Sequence, residues 1–245
     1  MQTYDGPMTA VITGGSAGIG LQLCHEMLNA GWNVISLARR KTEINHPNLA
    51  SVCVDLLNSR ETADAAAEIG GNTAVTHIVH NAGLVWPNLM LEVKPEDIAG
   101  LTHIHLTAPL VLTQAVLPQM QKRGFGRIVF VTSRASMGVP TRTAYSATKA
   151  GVHGMARTWA LEMAPDGITV NVVAPGPILT NNFWSIIPKG SEREQKLAEN
   201  LPVRRIGMPE DVTRAVMFFA DPKASFVTGQ VLFVCGGASL GGISL

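Results

Sequence analysis

The chain has 245 residues, enough for one large α/β domain, and its 46% hydrophobic content lets it bury a sizeable core, which excludes a disordered chain. Lys+Arg 19 against Asp+Glu 18 leaves a net charge of +1, so no general field draws the protein to nucleic acid or to an anionic membrane. Only 15% of its residues are charged, against roughly 25% in an average soluble protein, yet no uncharged apolar run approaches the ~18 residues of a membrane-spanning helix.

Residues 1–7 show no basic flank before an apolar stretch, so a secretory signal is not expected. Cys24, Cys53 and Cys235 lie far apart and form no CxxC pair. That argues against a disulfide framework or a zinc knuckle and for a reducing, cytoplasmic setting. His77 and His80 should fall on opposite faces of a strand, and His103 and His105 should diverge around a helix, so no metal site is expected.

Along the chain, short β-branched runs alternate with stretches of helical spacing. Strands are predicted at 9–13, 33–37, 51–54, 76–79, 127–132, 168–173 and 230–234, and helices at 18–30, 96–122, 145–164 and 209–220, among others. Near-continuous apolar strands between helices imply a Rossmann-like, doubly wound parallel sheet of about seven strands, covered on both faces. No linker divides the chain, so residues 1–245 are read as a single domain. The least regular stretch, 179–202, holds Phe183, Trp184, Ile186 and Ile187, which suits a substrate loop better than a tail.

The strand ends carry the chemistry. After the first strand comes Thr13-Gly14-Gly15-Ser16-Ala17-Gly18-Ile19-Gly20, a G-x-x-x-G-x-G turn that opens a helix. Gly14, Ser16, Gly18, Ile19 and Gly20 there would let a pyrophosphate approach the backbone and sit on the helix N-terminus. The second strand ends Leu37-Ala38-Arg39-Arg40-Lys41. An acid at position 38 would bind a ribose 2′-OH; with Ala38 in its place, Arg39 and Arg40 point to a 2′-phosphate, hence NADP(H) in preference to NAD(H). Asn81-Ala82-Gly83 closes the fourth strand, Ser133 the fifth, and Pro175-Gly176 the sixth, while Tyr145 and Lys149 share one face of a helix.

In this order and spacing, TGxxxGxG, NAG, Ser, YxxxK and PG resemble the short-chain dehydrogenase/reductase family over nearly the whole chain. The resemblance implies hydride transfer between a nicotinamide and a carbonyl or secondary alcohol, with a ketone reduced by NADPH as the expected direction. Tyr145 would exchange the proton, Lys149 would lower its pKa and bind the nicotinamide ribose, and Ser133 would hold the substrate oxygen. Asp55 and Leu56 resemble the family's adenine contact, and Ile178 and Thr180 its carboxamide contacts.

By register, His105 stands where the family carries an asparagine that supports a proton relay. It is either a variant relay or a packed helix histidine. Cys235 replaces a frequent aspartate. Val85, Trp86, Arg134, Met137 and 183–187 are the expected substrate walls, favouring an apolar or aromatic ketone; Arg134 could also meet an anion.

A 3-oxoacyl thioester reductase is the nearest alternative, with Lys122 and Arg123 as a thin hint of an acidic carrier protein. A dinucleotide-binding regulator without turnover is the non-enzyme alternative. Neither a nucleic-acid nor a membrane partner is expected. Residues 101–115 carry no formal charge, which a helix exposed on one face should not do. With the family's habit of assembly, this points to a homotetramer or homodimer.

Overall fold

Short apolar, β-branched runs cannot satisfy their backbone alone, so each pairs with a neighbour. The computed structural model describes residues 4–72 and 75–240. In it β1 (Thr9–Thr13), β2 (Asn33–Ala38), β3 (Leu49–Cys53), β4 (His77–His80), β5 (Gly126–Val131), β6 (Ile168–Pro175) and β7 (Val231–Val234) form one sheet. Every pairing is parallel, and the order is β3-β2-β1-β4-β5-β6-β7.

The helices are α1 (Gly18–Asn29), α2 (Ser59–Asn72), α3 (Pro95–Thr102), α4 (Ala108–Arg123), α5 (Thr143–Met163), α6 (Asn181–Trp184), α7 (Glu192–Asn200) and α8 (Pro209–Ala220). Alternate strand residues feed two cores, as the pleat requires. Val11, Ile78, Ile128 and Val170 pack beneath α2, α4 and α5, while Ile12, Val79, Val129 and Val173 pack beneath α1 and α8. His77 bonds the Ala220 carbonyl at the end of α8, and His80 bonds Thr113 of α4, so the two do take opposite faces. The expected doubly wound sheet is the observed one.

Two expectations need correction. The single helix at 96–122 is two, α3 and α4, joined by a π-helical turn at His103–Thr107. The wider turn brings the consecutive residues Ile104 and His105 both inward. The loop at 179–202 has no strand, but it is not irregular throughout: Thr180 Oγ1 accepts the Phe183 amide to start α6, and Ser191 Oγ accepts the Glu194 amide to start α7. Its ends meet in a bridge between Ile178 and Gly207.

Candidate active site

The strand order reverses between β1 and β4, and the crevice outside their carboxyl ends is where an open α/β sheet accommodates a ligand. Here it is a cleft of about 450 Å³ running from Arg39, Arg40 and Asp55 to Ser133, Tyr145 and Lys149. Its floor is the turn from β1 into α1. Gly14 sits at φ +73°, a left-handed conformation that favours glycine. A Cβ on Gly20 would collide with the Gly14 carbonyl and Asn81 Nδ2, so only glycine lets α1 begin this close to the sheet. Thr13 Oγ1 accepts the Asn81 and Ala82 amides at 3.0 and 2.9 Å, and Asn81 Nδ2 donates to Thr13 O at 3.0 Å. These bonds lock the two strand ends together where the ladder stops.

At one end of the cleft, Arg39 and Arg40 ride on a turn pinned from beneath. Ser36 Oγ and Thr42 Oγ1 are hydrogen-bonded at 2.6 Å, and the Thr42 amide donates to Ser51 Oγ at 2.9 Å. Ala38 is buried, and its methyl leaves no carboxylate where the turn begins. Exposed cations beside the N-terminus of α1 make this end suited to a phosphate, and the glycine turn leaves room for a dinucleotide backbone.

At the other end stand the hydroxyls. Ser133 caps a 3-10 turn, its Oγ accepting the Ala135 amide at 3.1 Å, and it lines the same end of the cleft as Tyr145. Lys149 is buried and donates to the Val131 carbonyl at 3.0 Å. Its Nζ lies 5.8 Å from the centre of the Tyr145 ring. Burial pushes Tyr145 above the usual phenol value, opposed by the Ser133 hydroxyl and the charge of Arg142. Desolvation prevails over these two, and the Lys149 ammonium is held by the Val131 carbonyl. Burial also brings Lys149 down to about 8.

His105 lies behind this group. Its Nδ1 is 2.8 Å from Thr148 Oγ1, the Leu84 amide donates to its Nε2 at 3.4 Å, and its ring meets Tyr145 edge-on at 5.5 Å. Burial and the nearby Lys149 charge hold it down to about 2, so it is neutral. With both nitrogens engaged it has the geometry of a packed brace rather than of a water-holding relay.

The other expected positions at this site all line the cleft except Gly20, which packs behind it. Of the expected substrate walls, Val85, Phe183 and Ile186 line it, but Trp86, Arg134, Met137 and Trp184 do not. Trp86 instead lies on Gly100 of α3, where only a glycine leaves it space. Cys235 is buried behind Gly176, with Sγ 3.2 Å from Ser239 Oγ. Sequence reasoning quoted Thr13 within its motif but gave neither it nor Thr148 a role; both hydroxyls hydrogen-bond nearby backbone. Among the described residues no three His, Cys, Asp or Glu side chains gather as a metal site would need, and no helix is long and apolar enough to cross a membrane.

A family model described as enoyl-(acyl carrier protein) reductase matches residues 14–239. A subunit of (2S)-[(R)-hydroxy(phenyl)methyl]succinyl-CoA dehydrogenase from Thauera aromatica is 35% identical, the match covering 94% of this chain and 96% of that one. A 3-oxoacyl-[acyl-carrier-protein] reductase from Rickettsia bellii is 33% identical over 94% of this chain and 95% of its own length. Among solved structures, a candidate NAD(P)-dependent gluconate 5-dehydrogenase from Beutenbergia cavernae, with NADP bound at low occupancy, superposes with a TM-score of 0.89. It is 32% identical and covers 97% of this chain and 98% of its own.

Proposed function

The chain belongs to the short-chain dehydrogenase/reductase family, and on that premise we propose that it is an NADP(H)-dependent oxidoreductase acting on a carbonyl or secondary alcohol. The observation that carries this reading is the cleft itself, with Ser133, Tyr145 and a buried Lys149 at one end and two arginines at the other. Bound there, NADPH would supply a hydride to the carbonyl carbon. Ser133 would donate a hydrogen bond to the carbonyl oxygen, and Tyr145 would deliver the proton that completes the alcohol. Lys149 would stabilise the phenolate left behind and hold the nicotinamide ribose. His105, neutral and doubly bonded, would hold α5 in place and pass no proton.

Arg39, supported by Arg40, would take the 2′-phosphate, and Gly14, Ser16, Gly18 and Ile19 the pyrophosphate. Asp55 and Leu56 would border the adenine, Asn81 to Gly83 and Pro175-Gly176 the ribose and nicotinamide, and Ile178 and Thr180 the carboxamide. Residues 179–202 would close over the substrate, with Phe183 and Ile186 as an apolar wall. The NADP held by the Beutenbergia cavernae structure and the missing acid at Ala38 support this cofactor.

A second reading, reduction of a 3-oxoacyl thioester, is favoured by the Rickettsia bellii relative. We also propose a cytoplasmic homotetramer or homodimer, since Leu161, Phe218 and Phe226 are large exposed hydrophobics that another copy would cover. Sedimentation mass tests that.

The activity is tested by following NADPH and NADH oxidation across ketones and 3-oxoacyl thioesters, with Tyr145→Phe alongside. NADPH-dependent turnover that Tyr145→Phe abolishes is expected. Cofactor binding without turnover on any carbonyl would replace this reading with that of a dinucleotide-binding regulator, and a preference for NADH would overturn the phosphate assignment.

A further inference from the structure

No Asp or Glu occurs between Asp97 and Glu162, whereas that stretch carries seven Lys and Arg residues. Acids and bases nearly balance over the whole chain, so this one-sided segment is a local feature, and it is the segment that holds Ser133, Tyr145 and Lys149. Two of its arginines flank the hydroxyls in sequence, just outside the residues that line the cleft. Arg134 follows Ser133 directly, and Arg142, the N-cap of α5, precedes Tyr145 by three residues. Both are half-buried, and neither takes part in an ion pair among the described residues.

Arg142 is also held in place. Its Nη1 donates to Thr141 Oγ1 at 2.6 Å and to Thr141 O at 3.3 Å. Thr141 is β-branched yet sits at φ +66°, a conformation such residues rarely adopt. The Asn88 amide fixes it there by donating to Thr141 O at 3.0 Å. The Arg142 Nε and Nη2 hydrogens are left without a protein partner among the described residues. A half-desolvated guanidinium with no counter-ion is unfavourable until an anion meets it, and its planar fork matches a carboxylate in two-pronged fashion. Its charge already reaches the Tyr145 phenol, where it opposes the effect of burial.

We infer that the substrate is an oxo acid: its carboxylate is gripped by Arg142, with Arg134 adding positive charge, while its carbonyl lies against Ser133 and Tyr145. This rests on the carbonyl-reductase reading above and names the substrate class within it. The apolar wall at Phe183 and Ile186 then faces the hydrocarbon body between or beside the two polar groups.

The test compares 4-oxopentanoate and 4-oxo-4-phenylbutanoate with their methyl esters. In the wild-type enzyme kcat/KM for the acids should exceed that for the esters by about tenfold to hundredfold, the usual worth of a charge-assisted pair. Arg142→Met should collapse that ratio chiefly through KM, and Arg142→Lys should retain part of it. A ratio near one in the wild type, or a ratio untouched in Arg142→Met, overturns the inference while leaving the reductase reading standing. Calorimetric titration of the protein with 4-oxopentanoate and its ester, with and without NADP+, needs no turnover. Binding of the acid in preference to the ester, weakened at least tenfold in Arg142→Met, supports the inference even if every carbonyl resists reduction. Equal binding of both, or none, overturns it.

Discussion

Gly83→Ala adds one methyl group at a point 2.9 Å from His105 Nε2 and 3.4 Å from Lys149 Nζ. Ordinary non-bonded contact is about 3.5 Å or more, so the imidazole must retreat by about half an ångström. Neither side can give freely. The ring is tied to Thr148 at 2.8 Å, and the backbone leading to Gly83 is tied to Thr13 through the Asn81 and Ala82 amides. Overpacking of this kind costs about 1–3 kcal/mol, which for a chain of this size lowers Tm by about 2–10 °C. The displaced His105 ring meets Tyr145 edge-on, and because a shift of about 1 Å in a catalytic group can cost about a hundredfold, a tenfold loss of kcat is expected. Thermal unfolding and steady-state kinetics with NADPH measure both. The double variant Gly83→Ala/His105→Ala opens space for the methyl, so its losses should be smaller than the two single losses combined, by about 0.5–3 kcal/mol of coupling. A Gly83→Ala protein with wild-type Tm and kcat, or strict additivity in the double variant, would refute the tight packing claimed for this point.

Other consequences follow from buried charge. Burial holds His77 and His80 down to about 3 and His105 to about 2, whereas an unfolded histidine titrates near ~6.5. The unfolded chain therefore binds more protons below that value: stability is full above about pH 6.5 and falls as pH drops toward 3, by roughly 1.4 kcal/mol per pH unit for each histidine. Urea unfolding from pH 7.5 to 4.5 should show this, and His80→Gln should flatten the slope by one histidine's share; a flat wild-type profile would disprove the neutral assignment. Arg39→Ala should raise KM for NADPH about tenfold or more while changing that for NADH little, since a phosphate contact is worth ~1.5–3 kcal/mol. Equal effects on the two cofactors in steady-state assays would remove Arg39 from the phosphate site. Arg127 is 2% exposed and donates to the Gly126, Gly167 and Pro222 carbonyls at the amino end of β5. Arg127→Met should cost about 3 kcal/mol or more by stranding those carbonyls, with the NADPH KM of the folded fraction unaltered; calorimetry and kinetics together check it.

What was legible in the sequence was what spacing alone controls. Gly14 to Gly20 had to turn tightly between a strand and a helix, and Tyr145 and Lys149 had to share a helical face, whatever else surrounded them. Spacing says less about where a long side chain ends. Lys149 shares that face, yet its ammonium reaches the Val131 carbonyl eighteen residues away in sequence. In the loop after β6, Ser191 and Glu194 form the serine-x-x-glutamate pattern that starts α7, a signal legible in the sequence. The π-helical turn at His103–Thr107 left no such trace, because residues 101–115 are uniformly uncharged and any helical period fits them.

His105 shows why position can be read when role cannot. Counting from Asn81 and from Ser133 reaches it, but its protonation is decided by Leu84 and Thr148, which lie 21 and 43 residues away. The Leu84 amide can only donate, so Nε2 must accept, and the imidazole hydrogen sits on Nδ1. Thr148 then accepts from Nδ1 and passes its own hydrogen to the Ala144 carbonyl at 3.0 Å. Every hydrogen bond in this chain runs the same way. A second proton on the ring would set an N–H against the Leu84 N–H, next to the Lys149 ammonium and out of reach of solvent. The same contacts that fix the ring against Tyr145 therefore favour the neutral imidazole, which suits the packed-histidine alternative.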